Sequence, residues 1–498
     1  MSFAPTTVLP GPAAIAPHTA RWRLAPARAW AVAWVGLWVI FAYSVNSAQF
    51  GDNVEQFNWA HSLEWGYYKH PPLPTWLLGG LIRLMGETPA QSYALAFGCL
   101  AATALLTHDI ARRLLSPRMA NVALVLWGLQ MPFSWRAQLY NHNTLLVLSV
   151  ALTVWCVLLA LRHASLALWC AAGLAGAMAV LSKYQALVPL GGIAVALAGA
   201  GELRHAAVRR GALLAVAVAA AALTPHVLWL VAHDGQPLHY AFSHDQQLGG
   251  WARCGSVLGF VLNQLRFLLP VLLCIALAVV LSPRAGGAAV PSQEALHPAL
   301  RAWLFGLIGV PLLAVLALGA VRGVALQNHW GVQALQFVSL WLAWRLSSKP
   351  LAVRTLVGVA LCLQLLGMVL YVYGPRARHA RADLRFPTAA LLQQVNRAWQ
   401  ARTACPLHYV AGNAFAAGLY ATYAGSYPQV LEDNDPLKSP WVDVARMRSD
   451  GAVYFAFDKA HLPADVQDIG SLAAPPTRKR PTPTLYWGLR LPDHACAA

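Results

Sequence analysis

Long apolar segments recur through the first 373 residues, and this repetition limits the fold more than any single motif. A bilayer-spanning helix needs roughly 20 mostly apolar residues, since backbone in hydrocarbon must satisfy its own hydrogen bonds. On that criterion the pattern predicts about eleven spans, over residues 29–48, 90–111, 120–135, 143–161, 166–181, 184–200, 211–232, 255–281, 302–320, 332–346 and 356–373. The segment 74–85 is too short to cross and reads as an interfacial or re-entrant helix. Composition agrees: 58% of the 498 residues are hydrophobic and 11% charged, which excludes an ordinary soluble globular chain. Residues 1–20 lack the continuous apolar core of a removable leader, so the first span is expected to act as its own uncleaved membrane signal.

The net charge of +17 would suit nucleic acid, but the basic residues sit between apolar spans, where they set orientation instead. No nucleic acid partner is implied. With a cytoplasmic N-terminus (residues 1–28), one set of loops holds Arg21, Arg23, Arg28, Arg112, Arg113, Arg118, Arg162, Arg204, Arg209, Arg210, Arg284, Arg301, Arg345, Lys349 and Arg354. The opposite loops hold fewer, among them Lys69, Arg136, Lys183, Arg253 and Arg322. Charge bias and alternation therefore agree on a multi-pass membrane protein, with residues 49–89 and everything after residue 374 in the periplasm. Ser282 to Ser292 is expected to form a flexible cytoplasmic loop.

The expected architecture is an α-helical polytopic membrane domain over 29–374, with periplasmic juxtamembrane helices, followed by a small α/β domain over 375–498. In that tail, runs 407–411 and 452–457 read as strands, and 388–400 and 414–421 as helices. Arg376, Arg378, Arg381 and Arg385 stand just beyond the last span, placed to anchor it at headgroups or to meet an anionic acceptor. Of eight cysteines, Cys156, Cys170, Cys274 and Cys362 lie in apolar spans as small hydrophobes. The tail pair Cys405 and Cys496 can form a disulfide.

Polar clusters concentrate on the periplasmic side of this topology. Residues 52–73, DNVEQFNWAHSLEWGYYKHPPL, place Asp52, Glu55, His61, Glu64, Lys69 and His70 directly after the first span. Other loops add Arg136 with Asn141, His142 and Asn143; Ser182, Lys183 and Tyr184; His233, Asp234, His239, His244 and Asp245; and Asn328, His329 and Trp330. Asp52 and Glu55, three residues apart, share a face if helical, so one can serve as a base while the other positions an acceptor or binds a cation. A local alternative makes Asp52 a helix cap and Glu55 its capping-box partner. Lys69-His70 precedes a double proline that keeps the preceding chain non-helical, a stiff cationic corner suited to phosphate at headgroup depth. Lys183, between two apolar runs, and Arg266, inside the 255–281 span, each need an anionic partner or a route to the interface. The histidines at 233, 239 and 244 lack metal-motif spacing, and no nucleotide-binding loop is present in a suitable context.

A first span, an acidic loop and then GYYKHPPL resemble the GT-C membrane glycosyltransferases, the superfamily of dolichyl-phosphate-mannose protein mannosyltransferases and bacterial lipid A aminoarabinose transferases. The NHNTLL, SKY, TPHVLWLVAHD and NHW stretches at Asn141, Ser182, Thr224 and Asn328 add to the resemblance, which covers residues 29–346. It implies inverting transfer of a sugar from a polyprenyl-phosphate donor to a periplasmic acceptor: lipid A, core oligosaccharide, another glycan or a protein. Asp52 falls on the family's catalytic aspartate, with Glu55 as the second acid. Lys69, His70, Lys183, Tyr184 and Arg266 are expected at the donor phosphate, and Asn143, His244, Asn328 and His329 in the acceptor or sugar pocket. Two departures stand out: Asn53 follows Asp52 where many members have a glutamate, and Asn143 stands where many have an acid. No cofactor is fixed by the sequence; the resemblance leaves room for a divalent ion, Mg2+ or Mn2+, whose ligands these departures leave unassigned. The competing classes are a transporter or flippase of lipid-linked sugars and a non-catalytic subunit of envelope polysaccharide assembly. A transporter places polar residues near the midplane of repeated halves, whereas here they gather at one face.

Overall fold

The computed structural model describes residues 19–243, 247–282, 298–349, 351–374, 382–476 and 483–496. The 282–292 loop (apart from Ser282), His244, Asp245, Arg376, Arg378 and Arg381 lie outside the described residues. Among the described residues, seven helices are long and apolar enough to cross a membrane: Pro26–Val45 at the end of α1 (Thr19–Val45), α4 (Ala90–Leu114), α6 (His142–His163), α9 (Ala206–Ala232), α11 (Gly250–Leu281), the combined Pro298–Arg322 and α15 (Val353–Tyr373). The 298–322 helix consists of α12 (Pro298–Leu304) and α13 (Val310–Arg322), joined through a π-helical turn.

The other four expected spans fall on shorter helices: α5 (Pro117–Leu129), α7 (Leu166–Ser182), α8 (Leu187–Gly199) and α14 (Val332–Arg345). Each stops or starts next to a break in helical hydrogen bonding. The chain turns through 3-10 segments at Met131–Phe133, Tyr184–Ala186 and Asn328–Gly331 instead of continuing. Irregular backbone at such depth is tolerated where it lines a cavity. Neighbouring helices approach closely: a Cβ on Gly192 would lie 2.1 Å from the Gly306 carbonyl oxygen, so only glycine fits there.

Between α1 and α4 the chain forms α2 (Gly51–Trp59), a non-helical stretch over 60–72, and α3 (Leu73–Met85), the short helix expected from its length. On the tail side, a five-stranded sheet runs in the order β2-β1-β3-β5-β4. Strands β1 (Tyr409–Gly412), β2 (Gln429–Glu432) and β3 (Ala452–Ala456) are parallel, while β5 (Thr484–Arg490) runs antiparallel to β3 and to β4 (Gln467–Ala473). Helices α16 (Thr388–Gln400) and α17 (Ala414–Tyr423) match the two read from sequence, and α18 (Val444–Asp450) is an addition. Cys405 and Cys496 are joined in a disulfide.

The tail domain shares a core with α2. Val54 is buried among Leu419, Tyr420, Val430 and Phe455, and Asn58 Nδ2 donates to the Ala414 carbonyl at 3.2 Å. A Cβ on Gly418 would meet Asn58 Oδ1 at 2.1 Å, so the glycine is what lets α17 lie against α2. Arg385 Nη2 donates to the Val372 carbonyl at 2.8 Å, tying the start of the tail to the end of α15.

Candidate active site

The truncated helices open into a cavity of about 720 Å³. Asp52, Glu55, Lys69, His70, Asn143, Lys183, Tyr184 and His329 all line it, brought together from four separate stretches of chain. Two expected members are elsewhere. Arg266 is exposed on α11, because Gln264 and Phe267 take the inward positions of that turn and leave 266 facing out. Asn328 is exposed and offers only its backbone carbonyl, to Gln264 Nε2 at 2.9 Å.

Asp52 and Glu55 do share the cavity face of α2. The capping alternative is not realised: α2 begins at Gly51, its N-cap is Phe50, and no side chain caps it. The Asp52 carboxylate is instead oriented across the cavity, where Asn141 Nδ2 donates to its Oδ2 at 2.6 Å. Asn141 has no freedom to turn its amide over. Its Oδ1 caps α6 by accepting from the backbone N–H groups of Asn143 and Thr144 at 2.9 and 3.2 Å, so its NH2 must face Asp52.

Asn53 faces the other way and is buried. Its amide bonds Ser92 Oγ, the Gln138 carbonyl and the Tyr140 N–H, so it pins α2 to the 130–141 segment. Glu55 is the second acid in the cavity, and Lys69 Nζ reaches its Oε1 at 2.6 Å. Burial raises the Glu55 carboxyl above its ordinary range, against the opposing pull of Lys69. The paired Lys69 ammonium is correspondingly held above its usual range, the Glu55 charge outweighing burial.

Lys183, which ends α7, donates to Asn143 Oδ1 at 2.9 Å. That partner is neutral, so the lysine's charge is solvated but not cancelled. Burial brings it down to about 8, with Asp52 opposing the shift. Arg136 lines the same cavity, over the Phe50 ring at 5.6 Å, with no ion pair among the described residues. The cavity thus presents three cations, Lys69, Arg136 and Lys183, against two carboxylates, a balance suited to a bound phosphate. Tyr184 is tied elsewhere: its hydroxyl bonds His226 Nε2 at 3.0 Å, and His226 Nδ1 bonds the Trp65 carbonyl at 2.6 Å.

Roles for Arg136, Asn141 and His142 are not apparent from the sequence, although all three stand in its polar clusters. An asparagine directly before an apolar helix is a cap signal, and it would have placed Asn141. Glu432, at the end of β2, carries no such signal. It is 1% exposed and accepts from Asn58 Nδ2 at 2.7 Å and Trp59 Nε1 at 3.3 Å. Burial and then the Glu55 charge push its carboxyl up to about 7. Trp59 in turn stacks on Tyr67, with ring centroids 4.9 Å apart, so the tail domain braces the 60–72 stretch.

The architecture defines the class: this is a polytopic membrane protein with the GT-C fold. ArnT from Cupriavidus metallidurans bound to undecaprenyl phosphate matches over 95% of this chain and 100% of its own, with a TM-score of 0.57 at 15% identity. Its apo structure matches over the same shares with a TM-score of 0.52 at 16% identity. At such identities the likeness is one of fold. In sequence, the family described as dolichyl-phosphate-mannose-protein mannosyltransferase matches residues 69–229, a stretch holding the HPPL corner, Asn141 to Asn143 and Lys183. The lipid A galacturonosyltransferase RgtD of Rhizobium johnstonii is 25% identical over 224 residues, 44% of this chain and 46% of that protein, so the match spans about half of its length. The chain thus has the GT-C fold and is similar in sequence, over part of its length, to glycosyltransferases of that fold.

Proposed function

We propose that this chain transfers a sugar from a polyprenyl-phosphate donor to an acceptor of the lipid A class, with inversion, at a periplasmic site. The observation that carries the reading is the division of the cavity: a carboxylate oriented by a helix-capping asparagine on one side, and three cations lining the same space. The undecaprenyl phosphate named for ArnT and the lipid A acceptor named for RgtD fit that chemistry.

In this mechanism the acceptor hydroxyl oxygen attacks the anomeric carbon while the bond from that carbon to the phosphate oxygen breaks. Asp52 takes the hydroxyl proton, and the lipid leaves as a phosphate carrying one more negative charge. Stabilising that charge is electrostatic work for Lys69, Arg136 and Lys183, already in place before the reaction begins. Asn141 keeps Asp52 aimed and its lone pair available.

The test uses the purified chain in detergent with lipid A and a panel of undecaprenyl-phosphate-linked hexose, hexuronic acid and aminopentose donors. Release of undecaprenyl phosphate should require acceptor. Asp52→Asn should reduce transfer by about 10² to 10⁴ without lowering the thermal unfolding temperature. An unaltered rate in that variant overturns the base assignment. If no acceptor promotes release from any donor, the transferase reading fails.

A further inference from the structure

The turn that carries Lys69 and His70 lies in a stretch without helix or strand, so something else must place it. The Tyr67 N–H donates to the His70 carbonyl at 3.1 Å, which closes the turn and makes its two ends move together. Tyr67 in turn is placed by Trp59, the last residue of α2. The Trp59 ring is fully buried, lies nearly parallel to Tyr67 at 10°, and meets the rings of Tyr68, His70 and His142 at centroid distances of 5.8, 6.2 and 5.9 Å. Stacking leaves an indole able to slide in its own plane; a hydrogen bond from its Nε1–H removes that freedom.

That bond goes to the tail, where Glu432 Oε2 accepts it while Oε1 accepts from Asn58. The neighbouring cations are committed to other acids, Lys69 to Glu55 at 2.6 Å and Lys438 to Asp433 at 2.8 Å. Among the described residues Glu432 therefore has no ion pair, and both its oxygens serve neutral donors. What this buried acid supplies is a fixed acceptor. The segment after β2 closes on the same turn from outside: Ser439 Oγ accepts the Glu432 N–H at 3.0 Å, Lys438 lies 5.6 Å from the Tyr68 ring centre, and Trp441 meets Tyr67 edge-on at 6.1 Å. Asp52, near the opposite end of α2, is held separately, by Asn141 and through its neighbour Asn53.

We infer that Glu432 is a positioning residue for the donor: acting through the Trp59 indole, it sets where Lys69 and His70 stand, and the tail domain thereby determines how tightly the lipid phosphate is held. The inference rests on the transferase reading and deepens it. Because Asp52 has its own anchors, loss of the Glu432–Trp59 bond shifts the cationic corner and leaves the base where it is. The consequence is a division in the kinetics, with donor binding weakened and the rate at saturating donor nearly kept.

The experiment uses the full chain in detergent. Undecaprenyl phosphate binding is measured without acceptor, and kcat and the donor KM are measured by acceptor-dependent release. Trp59→Phe keeps the stacked ring but has no N–H; it should weaken undecaprenyl phosphate binding and raise the donor KM by about tenfold, with kcat within about threefold of the parent value. Glu432→Ala should do the same, and Glu432→Gln, which keeps one acceptor oxygen, should recover most of the loss. Asp52→Asn should show the reverse, binding intact and kcat lost. A merely structural role would lower the unfolding temperature without separating KM from kcat. Should Glu432→Ala fail to fold, Trp59→Phe decides, since its ring is preserved. Unchanged donor affinity in Trp59→Phe, or a fall in kcat with KM unmoved, overturns the inference. Absence of acceptor-dependent release in the parent chain overturns the transferase reading instead, and undecaprenyl phosphate binding then decides the positioning role alone.

Discussion

The two ends of the helix bundle treat buried charge in opposite ways. Asp109 lies near the far end of α4, roughly 30 Å along the helix from Ala90. Its Oδ2 accepts from Arg113 Nε and Nη2 at 3.1 and 2.8 Å and from Trp155 Nε1 at 2.6 Å, while Arg112 lies 3.9 Å from Oδ1. The adjacent His108 bonds Asn121 at 2.9 Å. At the cavity end, Arg136 has no ion pair among the described residues, Lys183 meets only a neutral amide, and His142 Nε2 meets nothing described. A completed network holds helices together; an incomplete one retains the capacity to bind something else.

Substitutions that separate rate from stability would break this contrast. The largest effect is expected for Arg136→Ala: acceptor-dependent transfer should fall about 10² to 10³. Stability should change by no more than about 1 kcal/mol, since the contact with Phe50 is lost but no ion pair among the described residues is broken. A collapse of stability instead would make Arg136 a counterpart of the Asp109 network.

Next is Glu432, which belongs to neither end but joins the tail to α2. Its carboxyl titrates at about 7 in the folded protein against 4.5 ordinarily. The folded state therefore binds the proton more tightly than the unfolded one, and stability falls as pH rises from 4.5 to 7, by at most about 3 kcal/mol. Thermal unfolding followed across this window should show that slope in the parent chain and lose it in Glu432→Gln. An equal slope in both chains would assign the dependence elsewhere.

The smallest effect sharpens the opposite end. Asp109→Ala strands two arginines and an indole at a site about one-quarter exposed, so it should cost about 2 kcal/mol of stability. Transfer per folded molecule should be unchanged, measured by the same assay after correcting for folded fraction.

Much of this site was legible because its residues break an otherwise apolar text. Asp52, Lys69, His70 and Lys183 stand out as charges among spans, and the double proline marks a stiff corner. The three-residue spacing of Asp52 and Glu55 correctly placed both on one helix face. Their division of labour was not legible, because the Glu55–Lys69 pair depends on how residues 60–72 fold back. Arg266 misled for the reverse reason: its position in an apolar span was plain, but which face of α11 turns inward depends on packing. The four short helices likewise look like spans by composition, and only the breaks beside them show where the cavity begins. Glu432 was invisible in principle, since nothing local distinguishes it from a surface acid.

The grip of the tail on α2 has a consequence for how the molecule is made. Asn58 bonds Glu432, which lies 374 positions later in the chain. The helix bearing Asp52 is synthesised long before its brace. A ribosome that stops short of β2 can leave inserted helices in the bilayer, yet their loop lacks the surface against which it is shaped. Synthesis of the tail is thereby a condition for the site to take this shape.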